Sequence, residues 1–107
     1  MSRVAETRAA AEDGQRRDGV SSWSNGPGQR YTRHRHEYDK MIVVERGSIT
    51  FGLGSESIEL SAGDRLELPA GTEHDALVGA DGVRCLESHR PVGTFVAPRK
   101  TGARTGA

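Results

Sequence analysis

Three of the four histidines in this chain stand where imidazoles could converge. His34 and His36 lie two residues apart in Arg33-His34-Arg35-His36, and His74 follows the turn signal Pro69-Ala70-Gly71. In an extended strand, residues two apart leave the same face, so His34 and His36 are expected to point together. A third imidazole at the start of another strand could meet them. Neutral imidazoles suit Zn²⁺, Ni²⁺, Fe²⁺, Cu²⁺ or Mn²⁺, and three of them leave coordination positions for water or a ligand. The candidate metal ligands are therefore His34, His36 and His74. The plainer alternative is three interior histidines bonded to one another and to water.

Lys40 shares strand parity with His34 and His36 and should face the same interior. An ammonium ~5 Å from a divalent ion costs about 6 to 7 kcal/mol at an effective dielectric of 20. Lys40 could lose its proton, pair with an acid such as Glu67 or Glu87, or serve as the interior's positive charge and bind an anionic ligand. A Schiff-base role makes it a candidate catalytic residue. Tyr38 has the same parity and offers a phenol as candidate acid/base, or a ring packed at the mouth. Glu37 and Asp39 have the opposite parity and are expected on a solvated face. Trp23 reads as core, His89 as surface, and Cys85 as a buried small hydrophobe.

The elements that must position these residues are short and β-like. Met41-Ile42-Val43-Val44 is apolar and largely β-branched, and Ser48–Leu53, Ser57–Leu60 and Arg65–Leu68 alternate with period two. Asn25-Gly26-Pro27-Gly28, Arg46-Gly47, Gly54-Ser55-Glu56, Ser61-Ala62-Gly63-Asp64 and Gly79-Ala80-Asp81-Gly82 read as turns, the last as a hairpin turn. Turns every eight to twelve residues set the rhythm of an all-β sandwich or barrel. Residues 4–16 are rich in Ala, Glu and Arg and predict a short N-terminal helix within a helical or flexible extension over 1–19. A barrel is expected over 20–91 and a C-terminal tail over 92–107, mobile at its Gly-rich, basic end.

Composition bounds the function. The 107 residues suffice for one domain. Lys plus Arg equals Asp plus Glu at 15 each, so charge gives no case for nucleic acid or anionic lipid. No run of ~18 apolar residues predicts a membrane span, and Met1–Glu6 lacks an apolar signal core. A single cysteine cannot form an internal disulfide, and a cytoplasmic setting fits best. No Walker sequence or dinucleotide glycine fingerprint is present.

The residues resemble the cupin family of small jelly-roll barrels. Gly28, His34, His36 and Gly47 match that family's first motif in register, with Lys40 at the position of its glutamate. Gly63, Pro69, Gly71 and His74 match the second, with Val78 at its often variable asparagine. The resemblance covers roughly residues 20 to 90 and looks most like small single-domain bacterial cupins. It implies an all-β double-stranded β-helix (jelly roll) of two packed antiparallel sheets, with the site in the barrel mouth. It does not imply a reaction, because fold does not settle function.

Three functions compete. One is a metal-dependent enzyme on a polar small molecule, with a divalent metal ion (Zn, Ni, Fe or Mn) held by His34, His36 and His74. The second is a non-catalytic binding or sensing barrel in which Lys40 replaces the metal-ligand glutamate and the ligand is anionic or hydroxylated. The third is a barrel kept for assembly, since exposed strand edges invite a homodimer.

Overall fold

The structure, a computed structural model, describes residues 19–102 and the backbone of Gln15–Arg17. The elements in chain order are β1 (Gln15–Arg17), β2 (Val20–Asn25), β3 (Arg30–His34), β4 (Asp39–Leu53), β5 (Glu56–Ser61), β6 (Arg65–Leu68), β7 (His74–Arg90) and β8 (Arg99–Thr101). Every pairing among them is antiparallel. The predicted helix lies outside the described residues except for Gln15 and Arg16, which belong to β1. No helix among the described residues is long and apolar enough to cross a membrane.

Two long strands organise the rest. β4 and β7 pair with each other from Asp39↔Arg90 to Gly52↔Asp75. The first half of β4 also pairs β6, and its second half pairs β5. The first half of β7 pairs β3, and its second half pairs β2. The two long strands thus carry one set of neighbours at one end and another set at the other. The sheet has the order β1-β2-β7-β4-β6-β8, with β3 and β5 branching from it.

The turns expected at Arg46-Gly47 and at Gly79–Gly82 are not reversals of the chain. β4 and β7 run through both, with register shifts between Val44 and Arg46 and between Gly47 and Ile49. Gly47 and Gly82 have φ of +80° and +78°, and a Cβ on Gly47 would lie 2.0 Å from the Gly82 carbonyl oxygen. Glycine with positive φ serves a bulge as readily as a turn, and bulges bend a paired ribbon without ending it.

Alternation along the bent strands fills one interior. Ile42 and Val44 before the bulge, and Ile49 and Phe51 after it, are buried against Leu60, Leu66 and the rest of the core. Each such side chain contributes roughly 1.5–3 kcal/mol through removal of apolar surface from water. Trp23 is 1% exposed and Cys85 is fully buried, as expected for both. Burial pushes the Cys85 thiol well above its ordinary value. Arg99–Thr101, expected within a mobile tail, instead pair with Glu67–Arg65 as an outer strand.

Candidate metal centre

His34 and His74 are direct cross-strand partners in the β3–β7 ladder. Partners in an antiparallel pair hold their Cβ atoms within about 4.5–5.5 Å on one face, and a register shift between Tyr31 and His34 puts one extra residue in β3 just before the histidine. His36 follows just after β3. Its carbonyl accepts the Gly71 amide at 2.9 Å, which pins the segment to the turn that leads into β7. The ring centroids are 4.8 Å apart for His34–His36, 4.4 Å for His34–His74 and 5.3 Å for His36–His74. One ring nitrogen from each lies within 4.8 Å of the others. His36 and His74 are buried and His34 is half-buried.

The hydrogen bonds of the three rings follow one pattern. Nδ1 of His34 lies 2.7 Å from the Thr32 carbonyl, and Nδ1 of His74 lies 2.9 Å from the Thr72 carbonyl. A carbonyl only accepts, so each Nδ1 carries a proton, and in the neutral ring the lone pair is on Nε2. Nε2 of His36 lies 3.2 Å from Lys40 Nζ, and an ammonium only donates. With Lys40 charged, His36 has its lone pair at Nε2 and its Nδ1–H faces Tyr38 Oη at 3.1 Å. A ring whose Nδ1–H is held by an acceptor, which fixes its orientation, is the arrangement seen around metals.

Lys40 is fully buried, as its parity predicts. Of the two acids proposed for it, Glu87 is its partner, with Nζ 3.6 Å from Oε1. Glu67 instead pairs with Met41 and Arg99 in the sheet. Glu87 is buried and also accepts from Trp23 Nε1 at 2.8 Å. Its other oxygen lies 2.8 Å from His89 Nε2. Glu87 shares the inward parity of Val83 and Cys85, so its placement was readable from the sequence; nothing in the sequence singled it out as the acid beside Lys40.

Two expectations need correction. Asp39 is not on a solvated face: it is 1% exposed, and its carboxylate accepts the Ala70 and Phe95 amides at 2.8 Å each. The Phe95 and Ala70 hydrogen bonds lower its pKa below the ordinary value. Parity gives the face of a strand but not what covers that face. His89 is not a free surface residue either. Its ring stacks on Tyr38 with centroids 3.9 Å apart, and Tyr38 stacks in turn on His36 at 5.0 Å. Glu37 is exposed, as expected.

The donor set suits a borderline divalent ion. Three neutral imidazoles with lone pairs on Nε2 match Zn²⁺ and its neighbours. The ammonium of Lys40 opposes such an ion, and Glu87 offsets much of that opposition. At 3.6 Å the pair attracts by roughly 4 to 5 kcal/mol at an effective dielectric of 20. Metal and ammonium would still compete for one lone pair, that of His36.

Known structures share this architecture. A conserved Streptococcus pyogenes protein of unknown function is 28% identical, with a TM-score of 0.59 over 72% of this chain and 68% of that one. A Rhizobium leguminosarum protein of unknown function has a TM-score of 0.63 at 17% identity, over 67% of this chain and 68% of its own. Bacillus subtilis oxalate decarboxylase, described with Mn(II) centres, is similar at a TM-score of 0.61 and 20% identity over 73% of this chain. The chain spans 22% of that enzyme's length, so the likeness concerns the fold. Comparison with curated protein sequences found no match. A family model for the cupin domain matches residues 23–87, which include all three clustered histidines, Lys40 and Glu87; this chain belongs to the cupin family.

Proposed function

We propose that this barrel binds a divalent metal ion through Nε2 of His34, His36 and His74 and offers the ion's open positions to a polar small molecule. The observation that carries the reading is the convergence of the three rings, one nitrogen from each lying within 4.8 Å of the others. Backbone carbonyls of Thr32 and Thr72 hold Nδ1 of two rings and Tyr38 lies against Nδ1 of the third, so that in neutral rings protonated there the lone pairs are on Nε2. Bound there, a metal would polarise a ligand oxygen or lower the pKa of a bound water. Tyr38 lies against Nδ1 of His36 at 3.1 Å, and its hydroxyl is a candidate for proton transfer. Lys40 is held by Glu87 and can serve as a cation beside the ligand.

A second reading has its own support. The Lys40 ammonium already sits on Nε2 of His36 at hydrogen-bond distance. In that reading the barrel holds an anionic or hydroxylated ligand with Lys40 and the histidines, and there is no metal. Elemental analysis of protein purified without a nickel column separates the two. Near one equivalent of metal, either as purified or after soaking in Zn²⁺, Mn²⁺ or anaerobic Fe²⁺, supports the metal reading. Less than about a tenth of an equivalent throughout rejects it, since a site with deprotonated ligands in place should load. Light scattering tests the homodimer expected from the exposed strand edges; a strict monomer removes it.

A further inference from the structure

Asp39 is not one of the clustered groups, yet it touches the segments that hold them. It opens β4, three residues after His36, and is turned away from Lys40's interior. Its Oδ1 accepts the Ala70 amide and its Oδ2 the Phe95 amide, both at 2.8 Å. Ala70 is the middle of the Pro69–Gly71 turn, and the next amide, that of Gly71, donates to the His36 carbonyl at 2.9 Å. Two successive amides of one turn are therefore fastened to the His36–Asp39 stretch. That turn delivers His74. The histidine-bearing segments are thus joined at this end by a backbone bond and by one carboxylate.

The same carboxylate holds the C-terminal segment. The chain turns at Pro91–Thr94, where the Thr94 amide donates to the Pro91 carbonyl at 3.1 Å and its hydroxyl donates to the same oxygen at 2.6 Å. After the backbone of Phe95 and Ala70, that of Thr94 and Gly93 also lowers the Asp39 pKa. A carboxylate has about four lone-pair sites and accepts only, so it suits a nest of amide donors. Asparagine could not replace it, because one of its two polar atoms is a donor and would face an N–H.

We propose that Asp39 is a positioning residue for the three-histidine centre, and that through it residues 91–95 form part of the frame that sets the place of His74. The effect on metal rests on the metal reading above; the effect on His74 does not. If either end of the clamp is released, the Pro69–Gly71 turn loosens and the His74 ring moves relative to His36.

The test uses the full chain in three variants. Asp39→Asn breaks the clamp at its centre. Phe95→Pro removes the far amide donor and leaves the carboxylate and every histidine in place. Phe95→Ala removes the ring but keeps the amide. Zn²⁺ affinity is measured against a chromophoric chelator, and histidine ring signals are followed by NMR in metal-free protein. Asp39→Asn and Phe95→Pro are expected to weaken Zn²⁺ binding tenfold or more and to shift the His74 ring signals, while Phe95→Ala stays within about twofold of the parent. The Trp23 indole N–H signal, bonded to Glu87, should stay in place in all three. A drop in melting temperature with unchanged His74 signals and unchanged Zn²⁺ affinity would make Asp39 merely structural and overturn the proposal. If the parent chain takes no Zn²⁺, the metal reading fails, and the NMR arm alone decides: unmoved His74 signals overturn the clamp and moved ones support it. Should Asp39→Asn not fold, Phe95→Pro against Phe95→Ala carries the same comparison.

Discussion

Lys40 Nζ lies 3.2 Å from Nε2 of His36, the atom through which that ring would bind a metal. The ammonium occupies the position at which a cupin of the matching motif would carry a glutamate. Its charge is answered by Glu87, directly beside it on β7 near the Lys40↔His89 pair. The barrel thus keeps a carboxylate near its centre but carries it on a different strand, with a lysine between the acid and the histidines.

Replacing Lys40 with methionine keeps most of the side-chain length and removes the competitor for His36. Zn²⁺ affinity of Lys40→Met should rise at least tenfold, about 1.4 kcal/mol, in a chelator competition. Glu87→Gln should act the other way. It leaves a buried ammonium without its anion, so metal affinity falls and urea unfolding shows a loss of about 3–5 kcal/mol. Equal Zn²⁺ affinities for the parent and Lys40→Met would show that the lysine does not govern the site.

How much of this was legible depended on parity. Period two along Ile49 and Phe51 gives the core face after the bulges, where parity is the reverse of that at Ile42 and Val44 before them, and the same rule places Lys40, Tyr38 and the His34–His36 pair inward. The rule failed where tertiary cover decided the outcome. Asp39 lies on the other face, yet the segment around Phe95 closes over it. No local pattern in Pro91–Phe95 shows which distant carboxylate its amides will meet. The same limit applied to β4 and β7. Gly47 and Gly82 signal positive φ, but whether the chain reverses or bends there depends on the partner strand across the ladder.

Gly47 should tolerate no side chain. Its φ of +80° is costly for other residues, and the space for a Cβ is taken by the Gly82 carbonyl. Strain of this kind amounts to about 1–3 kcal/mol, before the backbone clash is counted. Gly47→Ala should therefore lower the urea midpoint well beyond a typical surface substitution. Gly54→Ala shares a positive φ of +68° but meets nothing within 4 Å, so it should cost clearly less. Equal losses for the two would mean that the close approach of β4 to β7 at Gly47 contributes nothing.

Trp23 spans the core and the polar centre, with its ring against Tyr31 at a centroid distance of 5.9 Å and its indole N–H on Glu87. Trp23→Phe keeps most of the ring burial but withdraws one donor from a buried carboxylate. That loss is worth about 1–3 kcal/mol, more for a charged acceptor. Denaturant unfolding should show it, and the loss should shrink in a Glu87→Gln background because the acceptor is then neutral. Strictly additive losses would place the indole bond outside the Lys40–Glu87 network.

Asp39 gives the fold a defined acid limb. Its pKa lies below the ordinary 3.8 because the Phe95 and Ala70 amides stabilise the charged form. Between the depressed folded value and the ordinary unfolded one, the unfolded chain binds the extra proton. Stability therefore rises with pH across that interval. The contribution of Asp39 is present in full above about pH 5 and is lost as the pH falls through the folded value. Unfolding followed from neutral pH down to the acid range should show this dependence in the parent chain. Asp39→Asn, which cannot titrate, should be less stable at neutral pH and should approach the parent as the pH falls. The protection factor of the Phe95 amide should fall over the same interval in the parent, because protonation weakens the acceptor of that bond. Acid limbs of equal slope in the two proteins, with Phe95 exchange independent of protonation, would show that the carboxylate at position 39 does not anchor the C-terminal segment.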